Sequence, residues 1–129
     1  LAGPTIEFLG RVSDADAEDL MARCQAFIFP GLEDFGITPL QAQCAGRPAI
    51  TLGAGGALDT VIPGKTGEYF YKQTVESLAA TLSAFEPDAY DPAECRANAE
   101  RFSTERFVRE LGEYVERVRR GEEPRSRSV

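Results

Sequence analysis

Histidine is absent from all 129 residues. Ser–His and Cys–His nucleophile pairs, imidazole acid–base catalysis and histidine-containing zinc sites are thereby excluded. Any reaction carried by this chain must rest on carboxylates, backbone amides, Arg or Lys, or the substrate itself. Basic residues are outnumbered, 14 Lys and Arg against 21 Asp and Glu, for a formal net charge of −7. No sustained basic face is present, so neither nucleic acid nor an anionic membrane is expected as the main partner. Long apolar runs are missing too: none approaches the roughly 20 residues that span a bilayer. No charged-then-apolar leader precedes a cleavage-like site, and a soluble cytoplasmic protein without a transmembrane segment is expected. Cysteine is sparse and odd in number. Cys24, Cys44 and Cys95 lie far apart inside predicted helices with no C-x-x-C pair, which reads as three reduced, buried thiols and not as a redox or metal centre.

What is present is an alternation of short apolar runs and helical patterns. Residues 6–9 read as a strand closed by Gly10. Ser13 with Asp16 three residues on forms a capping-box pattern before a helix whose apolar face is Ala17, Leu20, Met21 and Cys24. Residues 26–29, apolar throughout, read as a buried parallel strand ended by Pro30 and Gly31. A helix follows from about Ile37 to Ala45, with Pro39 in its first turn, Gly46 ending it, and Ile37, Leu40 and Cys44 directed toward a core. Residues 49–52 are a third strand, residues 57–62 a short helical segment and residues 68–71 a fourth strand. Thr74 caps an amphipathic helix carrying Val75, Leu78, Ala79, Leu82 and Phe85, Asp91-Pro92 opens another, and Ser103 caps the last, which presents Phe107, Val108, Leu111, Tyr114, Val115 and Val118 on one face. The length suits one domain, residues 1–120, and a disordered polar tail, residues 121–129. The fold class is α/β, a Rossmann-like parallel sheet flanked by helices with four strands.

In such sheets ligands bind beyond the carboxyl ends of the strands, which places the loops 10–13, 30–38 and 53–57 together. Two of them carry glycines, and one carries the carboxylates Glu33 and Asp34. Free backbone N–H groups near Phe35, Gly36, Ile37 and Thr38 point out of the strand end as an anion-binding floor. Backbone donors suit phosphate and carboxylates suit sugar hydroxyls, so a phosphorylated, polyhydroxylated ligand fits. On the residues alone, Glu33 and Asp34 serve equally well to favour the helix dipole from the surface, and the loop 53–56 to connect a strand to a helix. The run Pro63-Gly64-Lys65-Thr66 is not a P-loop, because the glycine required five residues before Gly64 is Asp59 and a strand follows where a helix is needed.

The ordered set Phe8-Leu9-Gly10-Arg11-Val12-Ser13, Ala26-Phe27-Ile28-Phe29-Pro30, Glu33-Asp34-Phe35-Gly36-Ile37, Ala45-Gly46-Arg47-Pro48, Gly55-Gly56 and Gly64-Lys65-Thr66-Gly67 resembles the carboxyl-terminal domain of group 1 retaining GT-B glycosyltransferases, over about residues 5–118. The resemblance implies a donor site for a nucleotide-diphosphate sugar (a UDP- or GDP-sugar), an acceptor site in a separate amino-terminal domain of the parent chain, and transfer in the cleft between them with no metal or other cofactor. Glu33 would be the catalytic-site carboxylate holding hydroxyls of the transferred sugar, with Asp34 beside it. Backbone amides of Phe35, Gly36, Ile37 and Thr38 would contact sugar and phosphates and meet the charge of the leaving diphosphate. Arg11 and Val12 would lie by the nucleobase, and Gly55 and Gly56 would help close the site.

Two departures qualify the match. The family's second glutamate, eight residues after the first, is Gln41 here. Helical spacing from Ile37 turns Gln41 inward, and an amide in place of a carboxylate costs the ribose contact on the order of 1 kcal/mol. The family's diphosphate-binding Arg and Lys precede the segment where this sequence starts, as do two β-α units. With a family strand order of 3-2-1-4-5-6, residues 6–9 would be strand three, cut off from strand four, and the exposed edges would favour self-association. The chain is thus expected to be the donor-binding half of a retaining glycosyltransferase, inactive alone. The alternative is a non-catalytic nucleotide-sugar-binding or scaffold module; a GT-B epimerase is disfavoured because such enzymes generally use histidine.

Overall fold

A computed structural model describes residues 3–122. Three strands, β1 (Phe27–Phe29), β2 (Ala49–Leu52) and β3 (Gly67–Phe70), pair in parallel in the order β1-β2-β3. Phe29, Thr51 and Tyr69 lie side by side across the sheet, as do Ile28, Ile50 and Glu68. Parallel pairing demands a crossover between strands, supplied by α2 (Ile37–Cys44) and by α3 (Ala57–Thr60) with the turn after it. The α/β Rossmann-like class holds, with a parallel sheet flanked by helices.

The fourth expected strand, residues 6–9, does not form. Ile6, Phe8 and Leu9 are exposed, and no described strand lies beside them. An extended segment without a ladder partner leaves its backbone groups to water and has no reason to be a strand. The sheet therefore has three strands among the described residues.

Side-chain caps set the helix starts. Ser13 accepts from the Asp16 amide at the head of α1 (Asp14–Arg23), Thr74 from Ser77 at α4 (Val75–Ala84), Asp91 from Ala93 at α5 (Pro92–Glu100) and Ser103 from Arg106 at α6 (Thr104–Arg119). Each ties up a first-turn amide, worth about 1 kcal/mol. The expected tail lies outside the described residues except for Gly121 and Glu122.

β2 is central, with Ala49, Ile50 and Thr51 fully buried, and Leu40, Ala42, Val61, Phe70, Cys95 and Ala99 complete the core. The buried face of α2 is Pro39, Leu40, Ala42 and Gln43, against which α5 packs. Ile37 is exposed instead of entering the core, and so is Cys44. The expectation of three buried thiols holds for Cys95 alone; Cys24 is half-buried, and all three are free. On α6 the aligned apolar residues Phe107, Val108, Leu111, Tyr114, Val115 and Val118 are all exposed.

Candidate active site

The loops leaving the carboxyl ends of β1 and β2 meet. Gly56 N donates to the Glu33 carbonyl at 2.8 Å. The approach is so close that a Cβ on Gly56 would overlap the Phe35 backbone, and one on Gly55 would overlap the Glu33 carbonyl. Only glycine permits this contact, so the glycine-rich loop 53–56 is a tailored partner of the Glu33 loop and not a mere connection. The loop after β3 joins them through Gln73, whose Nε2 donates to the Pro30 carbonyl at 2.9 Å. Of the three loops expected together, 30–38 and 53–57 are in contact. No hydrogen bond or ion pair ties Arg11 or Val12 to either, and both are exposed.

Gly36 turns the chain into α2 with φ 85°, a left-handed conformation at the N-cap that glycine adopts without strain. It brings no side chain to the helix end. Among the described helices of eight or more residues, α2 is the one without a side-chain cap. Its first-turn amides, at Ile37 and Thr38, open at the carboxyl end of the sheet, where the partial positive charge of the helix end favours an anion. Glu33, Asp34, Phe35 and Ile37 are exposed around this opening, Thr38 is half-buried and Gly36 and Gly56 are buried in its floor. The geometry provides backbone donors with solvent-facing carboxylates beside them, a match to an anion linked to a polyol.

Gln41 is exposed, and does not turn inward. Because Pro39, Ala42 and Gln43 take the face toward α5, Gln41 and Cys44 are rotated into an open cleft between α1 and α2. That cleft, of about 570 Å³, is lined also by Asp14, Glu18 and Met21. Asp14 lies two residues after Val12, so the first turn of α1 and Gln41 border the same space. The Arg47 guanidinium, donating from Nε to the Ala22 carbonyl at 2.8 Å, fixes the far end of α1 to the chain leaving α2.

Several residues that shape the site escape motif reading. Thr60 Oγ1 donates to the Gly56 carbonyl at 2.9 Å, and the Thr60 carbonyl receives Gln43 Nε2 and Asn98 Nδ2, each at 2.9 Å. Gln43, Thr60 and Asn98 are buried. Tyr69 Oη lies 2.6 Å from the Val61 carbonyl and 3.0 Å from that of Ala57, holding α3 to β3, and burial pushes its phenol up. Phe35 meets Phe102 edge to face, ring centres 5.8 Å apart. A polar residue on a helical apolar stripe was the available signal, at Gln43; its partners lie 17 and 55 residues away.

The family model for glycosyl transferases group 1 matches residues 1–102. The chain is 32% identical over 117 residues to the α-1,3/1,6-mannosyltransferase ALG2 of Dictyostelium discoideum, covering 86% of this chain and 28% of that protein. It is 31% identical over 100 residues to a glycogen synthase of Mycobacterium tuberculosis, covering 76% of this chain and 24% of the relative. The chain thus spans about a quarter of the length of these relatives. The match runs through both glycine-bearing loops, the Glu33 segment and α2, and the chain belongs to the group 1 glycosyltransferases.

Proposed function

We propose that this chain is the donor-binding half of a retaining glycosyltransferase, taking a UDP- or GDP-sugar and giving its sugar to an acceptor hydroxyl supplied by a separate amino-terminal domain of the parent polypeptide. The observation that carries the reading is the uncapped amino end of α2, opening between two hydrogen-bonded glycine loops with Glu33 beside it. The diphosphate sits on the amides of Ile37 and Thr38. As the bond from the anomeric carbon to the diphosphate oxygen breaks, charge builds on that oxygen, and fixed N–H donors at the helix end stabilise it. Glu33 and Asp34 accept from hydroxyls of the sugar, fixing its anomeric carbon toward the acceptor. Gly55 and Gly56 close the floor, Gln41 meets the ribose from the α1–α2 cleft, and Arg11 and Val12 border the base. Without the acceptor domain the chain binds donor and transfers nothing.

A transfer assay on the full-length polypeptide with Glu33→Ala tests the assignment. Losing charge-assisted hydrogen bonds worth about 1.5–3 kcal/mol lowers kcat/KM by roughly 10- to 150-fold. Unchanged activity removes Glu33 from the site. Donor binding without turnover in the intact wild-type polypeptide instead favours a non-catalytic nucleotide-sugar module, the reading that Gln41 at the glutamate position would support.

A further inference from the structure

We propose that the carboxyl end of α5 is a brace that sets the position of the Glu33 loop, with Asn98 and Phe102 as positioning residues; the proposal rests on the donor-site reading above. Two contacts, which share Arg101, reach that loop from the last turn of α5 and the two residues after it. The polar one starts at the surface, where Arg101 NH1 donates to Asn98 Oδ1 at 2.8 Å. Asn98 Nδ2 then donates to Gln43 Oε1 at 2.6 Å and to the Thr60 carbonyl at 2.9 Å. From Thr60 Oγ1 the chain of hydrogen bonds continues to the Gly56 carbonyl, and from the Gly56 amide to the carbonyl of Glu33 itself. The aromatic one runs from the Arg101 guanidinium, 5.5 Å over the Phe102 ring, to the edge-to-face pair of Phe102 with Phe35, two residues beyond Glu33.

The bonds serve stability as well, because Gln43 and Asn98 both donate to the backbone carbonyl of buried Thr60, which apolar side chains at the two positions would leave unpaired. Directional amide bonds also admit one geometry where apolar packing admits several. Here the direction fixed is that of a glycine loop touching the backbone of the residue assigned to the sugar, while the chain of bonds meets α2 at Gln43, in its last turn, and not at the first-turn amides that receive the diphosphate. Loosening the brace should therefore weaken recognition of the sugar and spare recognition of the diphosphate.

The experiment measures backbone amide exchange, and affinity for a nucleoside diphosphate and for the corresponding nucleotide sugar, in the full-length polypeptide. Asn98→Asp turns both donated bonds of Nδ2 into repulsions. Phe102→Leu, at a half-buried position, keeps apolar contact and removes only the ring pair, so it remains folded if the buried substitution does not. Phe102→Tyr keeps the ring and retains wild-type values. In the first two variants the Gly56 amide exchanges faster while β2 amides stay protected, and affinity for the nucleotide sugar falls about three- to tenfold with that for the diphosphate unchanged. Unchanged Gly56 exchange in both variants, or an equal loss for the two ligands, overturns the brace. Wild-type protein that binds neither ligand overturns the donor-site reading, and the exchange data still decide whether α5 holds the loop.

Discussion

Thr51 Oγ1 is the one buried side-chain polar atom among the described residues with no hydrogen-bond partner. It sits in the middle of β2 with Phe29 and Tyr69 beside it in the sheet. An unpaired buried hydroxyl carries a desolvation penalty of about 1–3 kcal/mol. Thr51→Val keeps the shape and β-branching and is expected to raise stability by about 1 kcal/mol in chemical denaturation; a loss of stability would show that the hydroxyl has a partner in solution. At this scale the sequence is most informative where backbone conformation restricts residue choice. Gly36 and the pair Gly55–Gly56 stand where only glycine serves, Gly36 by its left-handed conformation and the pair by close approach to the Glu33 loop. Rotation about a helix axis is less legible. Ile37, Gln41 and Cys44 share an i, i+4, i+7 stripe that reads as inward, but the stripe that is buried is the one containing Gln43, a polar side chain whose partners come from distant segments.

Among the elements, helix starts are read well because their signals are local: Ser13, Thr74, Asp91 and Ser103 each cap as their spacing requires. β1, β2 and β3 fall within a residue of the apolar runs that mark them. Residues 6–9 carry the same apolar mark and form no strand, because a strand is made by its neighbour as much as by its own residues. The link between β3 and the segment that precedes α5 makes the fold sensitive to alkali. Tyr90 Oη donates to Glu68 Oε1 at 2.7 Å, and its ring stacks on Phe85. Burial first, then the Glu68 hydrogen bond and charge, hold the Tyr90 phenol well above its ordinary value of 10.0. A raised folded-state pKa means the contribution is complete below about pH 10 and is lost as the unfolded chain ionises above it. Burial likewise pushes the Cys95 thiol up from 9.0, adding to the loss in the same direction. Unfolding curves between pH 8 and about 11 should show stability falling toward alkali, with a shallower slope in Tyr90→Phe. Equal slopes would remove Tyr90 as a cause.

For the whole molecule, the surfaces left open are as informative as the core. β1 pairs only with β2 among the described residues, Ile28 on it is 41% exposed, and α6 exposes six aligned apolar residues. No described helix is long and apolar enough to cross a membrane. The 129-residue chain expressed by itself is expected to self-associate through these open surfaces in sedimentation experiments, since a free strand edge and an apolar helix face both seek partners. A monodisperse monomer over a range of concentrations would contradict this. The chain spans about a quarter of the length of the relatives it matches, and its sequence carries no motif that names an acceptor or a donor base.

Calorimetric titration of the full-length polypeptide with UDP, GDP and their sugar derivatives, on wild type and Glu33→Ala, tests the donor site most directly. One nucleotide family should bind, with its sugar form tighter than the bare diphosphate in the wild type, and Glu33→Ala should erase that difference while leaving the diphosphate affinity in place. Absence of binding by every nucleotide, or a sugar preference that survives loss of the Glu33 carboxylate, would contradict the assignment of this loop and the α2 amino end to the donor.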